Sequence, residues 1–366
     1  MRKTLNWVAI TLAFSICLTF CAAAALLDVF VIEHESDEDI IVETVDFGGN
    51  SGNLFLESEL ETTTSKSTNK STNKTGKETT SKSSTTGITD SPINQGSGNI
   101  ALSESEIAEI SKAISLVKTV GAYSNDNASI SVSEKIFTAG KDKTTYFVVD
   151  IRLSSVEYLK TALASGNTFT TNKTETVANL AKANNAILAI NGDGCGQSKR
   201  TKGYLVRNGI TYRSTAKTSG DTESLVIYGD GTMGIIDEKK TALSTVNNEW
   251  QVFSFGPSLI NNGAISVTER QEISGQSMAD NPRTAIGMVE PLHYVMIVGN
   301  GRTNDSKGLT LYQLAQALAF EGCTMGYNLD GGGSTTLWFN GSVINYPTTN
   351  GKYKERGVSD IVYIGA

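Results

Sequence analysis

Apolar and polar positions change rhythm several times along this chain, and each rhythm predicts an element. Trp7 to Leu27 runs for 21 residues without a charge, long enough to span a bilayer as a helix. Residues 61–86 contain only Thr, Ser, Lys, Asn, Glu and Gly. With no apolar side chain to offset the entropy of ordering, this stretch reads as a solvated spacer. From about residue 100 the pattern becomes globular. Ser103 to Glu106 reads as a capping box, followed by Ile107, Ile110, Ile114 and Val117 at helical spacing. Tyr146 to Leu153 is a continuous apolar run of strand length. Ser154 to Glu157 repeats the capping pattern and predicts a short helix to about Leu163. A helix over Thr174 to Ala183 and a strand over Ala186 to Ile190 follow.

Beyond Asn191 short strands dominate: Gly203–Val206, Leu225–Tyr228, Met233–Ile236 and Trp250–Phe255. Asn208-Gly209 and Asp230-Gly231 are hairpin signals. Thr284–Val289 and Tyr294–Val298 flank a turn at Pro291. Thr310 to Phe320 is the clearest helix, with Thr310 and Gln313 as its capping box and Leu311, Leu314 and Leu318 on a broad apolar face. Strands Met325–Leu329, Thr336–Phe339 and Val358–Ile364 complete the chain. The expected fold class is α+β. It has a mixed, mainly antiparallel sheet and a few packed helices, in a single globular domain behind an N-terminal membrane segment. The expected divisions are 1–32 (cytoplasmic tip and transmembrane anchor or signal segment), 33–99 (spacer) and 100–366 (working domain).

Charge sharpens the topology. Arg2 and Lys3 precede the first apolar run, and Glu33, Glu35, Asp37, Glu38 and Asp39 follow it. The positive-inside rule therefore puts everything after residue 32 outside the cytoplasm, anchored at the cell membrane through residues 7–32, or secreted if Ala22 to Ala25 is a cleavage site. The net charge of −7 over 366 residues argues against a general nucleic-acid partner. Cys17 and Cys21 lie in the leader. Cys195 and Cys323 remain for the globular part, as one disulfide or as two buried thiols.

The candidate chemistry centres on Asp330-Gly331-Gly332-Gly333-Ser334-Thr335. A carboxylate, three glycines and then hydroxyls suit an anionic or sugar-like ligand, because glycine lets a ligand approach the backbone. An ordinary glycine-rich turn has the same pattern. His293 inside a strand pair reads as structural. Ser334 lacks the Gly-x-Ser-x-Gly elbow of a serine hydrolase.

Several segments, in order, resemble the phosphodiester glycosidase family. They are Ala189 to Asp193, Gly203 to Gly209, Phe255 to Leu259, Asn281 to Gly287, Gly301-Arg302 with Gly308 to Thr310, Asn328 to Ser334, and Glu355 to Asp360. The resemblance implies hydrolysis of a sugar-1-phosphodiester at its glycosidic side. The expected partner is a sugar phosphodiester or surface polysaccharide. On this basis Asp330, Asp193 and Arg283 are the expected catalytic residues. Asn191, Thr284, Gly331, Gly332, Gly333, Ser334, Thr335 and Arg356 are the expected substrate-binding residues, with Arg283 and Arg356 as phosphate clamps because arginine donates two parallel bonds. No cofactor is required by the pattern. A divalent cation, Ca²⁺ or Mg²⁺, would take its oxygens from Asp193, Asp330 and Asp360. The chain departs from the family at Gly194-Cys195-Gly196, where aromatics are usual, and at Asn300, where an Asp is usual. A non-catalytic exopolysaccharide-binding or assembly module is the alternative.

Overall fold

The computed structural model describes residues 102–268 and 279–365. The apolar run at Trp7–Leu27 and the spacer lie outside the described residues. Among the described residues no helix is long and apolar enough to cross a membrane.

Helix α1 (Glu104–Ala113) starts at the predicted capping box, with both reciprocal bonds of Ser103 and Glu106 formed. It ends earlier than the periodicity predicts, because Ile114 begins strand β1 (Ile114–Ser124). Strands β2 (Ala128–Ala139) and β3 (Asp142–Leu153) continue the meander. The helix expected over Ser154–Leu163 is a single 3₁₀ turn, Val156–Tyr158, followed by strand β4 (Lys160–Leu163). Ser155 caps that turn, but β4 pairs with the end of the chain, and this tertiary pairing overrides the local cap.

Helix α2 (Val177–Ala183) leads into β5 (Ala186–Asn191). Then come β6 (Leu205–Arg207), β7 (Ile210–Arg213), β8 (Glu223–Tyr228), β9 (Met233–Asp237), β10 (Glu249–Phe253), β11 (Ser258–Asn261) and β12 (Ala264–Ile265). Asn208 and Gly209 both have positive φ, 52° and 74°, as a type I′ turn between β6 and β7 requires. Strands β13 (Arg283–Glu290) and β14 (His293–Gly299) form the predicted hairpin. Helix α3 (Leu311–Phe320) has its full capping box. Strands β15 (Met325–Asn328), β16 (Leu337–Phe339), β17 (Ser342–Val343), β18 (Thr348–Thr349), β19 (Lys352–Tyr353) and β20 (Asp360–Gly365) follow.

The strands form an eight-stranded sheet (β1-β2-β3-β14-β13-β15-β11-β12), two five-stranded sheets (β7-β6-β10-β8-β9 and β17-β16-β5-β20-β4) and the hairpin β18-β19. Every ladder among the described strands is antiparallel, so the sheet is not mixed as expected.

At its middle strands the large sheet is buried on both faces, which explains the continuous apolar runs of β3 and β14. Side chains alternate across a strand. Phe147, Val149 and Ile151 face a core shared with β5, β8, β16 and β20. Tyr146 and Val148 face the opposite core, against α1 and α3. Each fully buried aliphatic side chain of this kind stabilises the fold by about 1.5–3 kcal/mol. Cys195 and Cys323 are free and buried in two separate clusters, so the disulfide alternative fails.

Candidate active site

Three strand ends meet at one place. β5 ends at Asn191, β15 ends at Asn328, and β20 begins at Asp360. The chain leaving β5 carries Gly192 and Asp193, and the chain leaving β15 carries the glycine turn. Asn191 ties them together. Its amide donates to the Asp330 carbonyl at 2.6 Å, and its side-chain oxygen accepts from Thr284 Oγ1 at 2.8 Å and from the Thr336 amide at 3.3 Å. Asn191 and Thr284 are therefore buried braces beneath the turn, spent on protein rather than aimed at a ligand.

The glycines are there for closeness. A Cβ at Gly331 would lie 2.9 Å from the Pro282 carbonyl, and one at Gly333 would lie 2.7 Å from Thr349 Oγ1. Gly332 has φ +60° and sits against the Arg302 guanidinium. Two of the three amides expected to cradle an anion are already used. Gly331 N–H donates to Asp330 Oδ1 at 3.0 Å, and Gly332 N–H donates to the Pro282 carbonyl at 2.8 Å. Thr335 is buried below the turn.

Asp330 and Ser334 line a cleft of about 260 Å³, together with Arg356, Gln197, Gly194, Thr174 and residues 357–359. Asp330 Oδ2 accepts from Ser334 Oγ at 2.8 Å, and from Gln197 Nε2 and Arg356 Nη2 at 3.4 Å each. Arg356 also donates from Nε and Nη2 to Ser334 Oγ at 3.0 and 2.6 Å. Its side chain is 45% exposed, so it holds a positive charge at the rim where a phosphate could reach it. Burial raises the Asp330 pKa above its ordinary 3.8, against the opposing pull of Arg356, Ser334, Arg200 and the Gly331 amide.

Beneath the cleft lies a buried ion cluster. Arg207 Nη2 lies 2.9 Å from Asp193 Oδ1 and 2.8 Å from Asp360 Oδ2, and Arg207 Nε donates to the same Asp360 oxygen at 3.0 Å. The guanidinium stacks 4.2 Å from the Phe253 ring centre. Burial favours the neutral form of both carboxylic acids. For Asp193 the charge of Arg207 and the Ser254 amide outweigh that and hold it low, while Asp360 is left raised. Asp193 is thus part of the floor and does not line the cleft. Asp193, Cys195 and Asp360 bring three potential ligand atoms within 4.8 Å of one another. Arg207 already supplies the positive charge between the two carboxylates, and Asp330 points elsewhere, so these residues do not fit the expected cation site.

Arg283 packs under the turn, its Cδ 3.9 Å from where a Cβ on Gly331 would sit, but its guanidinium bonds to main-chain carbonyls of other segments. It is buried, its Nε donates to the Leu309 carbonyl at 3.0 Å and its Nη2 to the Ala279 carbonyl at 2.9 Å, and burial lowers its pKa to about 10. It does not line the cleft. Of the expected residues, then, the structure gathers Asp330, Ser334 and Arg356 around one opening. Sequence reasoning missed Gln197, which no motif marks. It also missed Arg207, for which a signal existed: strand alternation puts Arg207 on the same face as the fully buried Leu205.

Residues 184–365 match the family model described as phosphodiester glycosidase. Over 180 residues the chain is 28% identical to the SPbeta prophage-derived uncharacterized protein YomE of Bacillus subtilis (strain 168), a match covering 48% of this chain and 28% of YomE. Over 188 residues it is 29% identical to human N-acetylglucosamine-1-phosphodiester alpha-N-acetylglucosaminidase, covering 47% of this chain and 36% of the human protein. The chain thus spans well under half the length of these curated relatives. The solved catalytic domain of the zebrafish N-acetylglucosamine-1-phosphodiester alpha-N-acetylglucosaminidase, auto-inhibited by its pro-peptide, shares the fold. Its TM-score is 0.55 at 21% identity, covering 74% of this chain and 96% of that one. Every residue lining the cleft except Thr174 falls within residues 184–365, and this segment belongs to the phosphodiester glycosidase family.

Proposed function

We propose that this domain hydrolyses a sugar-1-phosphodiester, breaking the bond between the anomeric carbon and the phosphate oxygen. The observation that carries the reading is the Asp330–Ser334–Arg356 cluster at the cleft. A phosphomonoester leaves readily once its charge is balanced, and Arg356 is the half-exposed cation able to balance it. The remaining need is activation of water. Asp330, made more basic by burial, accepts the proton as the water oxygen joins the anomeric carbon, and the bonding pair leaves with the phosphate. Ser334 holds Asp330 and Arg356 in register through hydrogen bonds to both. The floor of Asp193, Arg207 and Asp360 keeps the strand ends fixed beneath them. Asn191 and Thr284 position the turn.

The human relative's name, and the family match, support the substrate class. The cell-surface setting is likewise part of the proposal, supported by the charge asymmetry around Trp7–Leu27. The test is release of free sugar from N-acetylglucosamine-1-phospho-methylmannoside by the full chain, with and without EDTA. Release by the wild-type chain and its loss in Asp330→Asn would support the reading. Absence of release from this substrate and from a sugar-1-phosphate polymer would sink it.

A further inference from the structure

Residues 346–353, which include the hairpin β18-β19, present two tyrosines to solvent beside the glycine turn, which Thr349 touches through the Gly333 carbonyl. Tyr346 is 46% exposed and Tyr353 is 58% exposed. Their rings lie 4.8 Å apart at 50°, a tilted pair that leaves ring surface uncovered. Exposed aromatics usually scatter singly, whereas these two pack on each other. Tyr346 N–H donates to Asn300 Oδ1 at 2.8 Å. The preceding Asn345 is buried. It accepts from the Leu337 amide at 2.7 Å and donates to the Thr335 carbonyl at 3.1 Å. Arg356 N–H, just beyond the hairpin, donates to the Gly333 carbonyl at 3.3 Å. The pair is therefore anchored to the same glycine turn that presents Asp330 and Ser334. Lys352 and Lys354 flank Tyr353, both exposed, and neither forms an ion pair among the described residues.

We infer that Tyr346 and Tyr353, with Lys352 and Lys354, form a subsite for the chain of a phosphate-bearing glycan that continues out of the cleft. The apolar C–H faces of sugar rings pack on aromatic rings, and tyrosine gives such contact at low entropic cost. The lysines supply charge complementary to phosphates repeating along the chain. Because the rings already pack on each other and the Tyr346 backbone is tied to Asn300, binding has less left to order. Asn300 gains a role here as the anchor of Tyr346. The inference rests on the proposed hydrolysis for its choice of ligand.

The test compares the full chain with Tyr346→Ala/Tyr353→Ala and Lys352→Gln/Lys354→Gln. The probes are an oligomer of N-acetylglucosamine-1-phosphate repeats, neutral chitohexaose, and the small methylmannoside diester. All four positions are exposed, so both variants should fold, which circular dichroism checks. The ratio of kcat/KM for the oligomer to that for the small diester is expected to fall about tenfold in each variant. Calorimetric affinity for the oligomer should fall to a similar degree. The tyrosine variant alone should weaken chitohexaose binding. If the wild-type chain binds the oligomer but turns over no diester, the calorimetry still decides the subsite while the hydrolysis reading falls. Unchanged oligomer affinity in both variants would overturn the subsite. So would binding to phosphatidylglycerol vesicles that is lost in the variants while oligomer binding persists.

Discussion

Arg356 and Asp330 lie 26 residues apart in sequence and meet at 3.4 Å, with the Ser334 hydroxyl bonded to both. Arg356 favours the ionised form of Asp330. Replacing Asp330 with Asn keeps the shape and removes the base, so kcat/KM should fall by roughly two orders of magnitude or more. Arg356→Lys keeps the charge and loses the forked grip on Ser334, for an expected loss of about tenfold. Steady-state kinetics on the small diester, beside circular dichroism of each variant, measures both.

The pH profile reports the same pair. Activity that needs ionised Asp330 should rise through a pKa above the ordinary 3.8 of an aspartate, because burial raises it. Arg356 favours the ionised form, so Arg356→Gln should move the acid limb to higher pH. A limb that stays put in that variant would detach Asp330 from the chemistry.

Stability should follow the same shift with its own sign. The folded chain holds the Asp330 proton more tightly than the unfolded chain does. This group's contribution is therefore full below the ordinary carboxylate pKa and is lost as pH rises through the raised one. The stability of Asp330→Asn relative to wild type should thus increase with pH, as urea denaturation across a pH series would show.

Arg207→Met should leave Asp193 and Asp360 buried without their cation. Breaking a buried pair this way costs about 3–5 kcal/mol. Equilibrium urea denaturation at neutral pH is the measurement, and a change under about 1 kcal/mol would mean that water reaches the cluster.

Much of this was legible in the sequence because the signals were local. The reciprocal cap of Thr310 and Gln313 fixed where α3 begins, and the apolar run at Tyr146 announced a strand covered on both faces. The extent of α1 was not legible. Ile107, Ile110, Ile114 and Val117 keep helical spacing, no Gly or Pro marks a stop, and only pairing with β2 draws Ile114 onward into a strand. In the site, the turn at Asp330 could be read from its own glycines. The roles of Arg283 and Arg207 could not, since their partners come from distant segments: Leu309 for the first, and Asp360, 153 residues away, for the second. An arginine in a motif looks the same whether its guanidinium meets a substrate or a main-chain carbonyl.

Both globular cysteines are buried thiols whose pKa burial raises, which makes the reactive thiolate scarce. In a Cys17→Ser/Cys21→Ser background, a thiol-reactive dye should label neither in the native chain and both in urea. Mass spectrometry of the labelled protein counts them, and a chain labelled by neither treatment would contain a disulfide after all.

Strand β20 is central to its sheet, paired with β5 on one side and β4 on the other. It also follows every other described strand along the chain. Until β20 has left the ribosome, β4 and β5 have no partner between them and Arg207 lacks one of its two carboxylates. A nascent chain therefore carries the whole glycine turn while the floor beneath it is still open, and that floor is completed only once β20 has emerged.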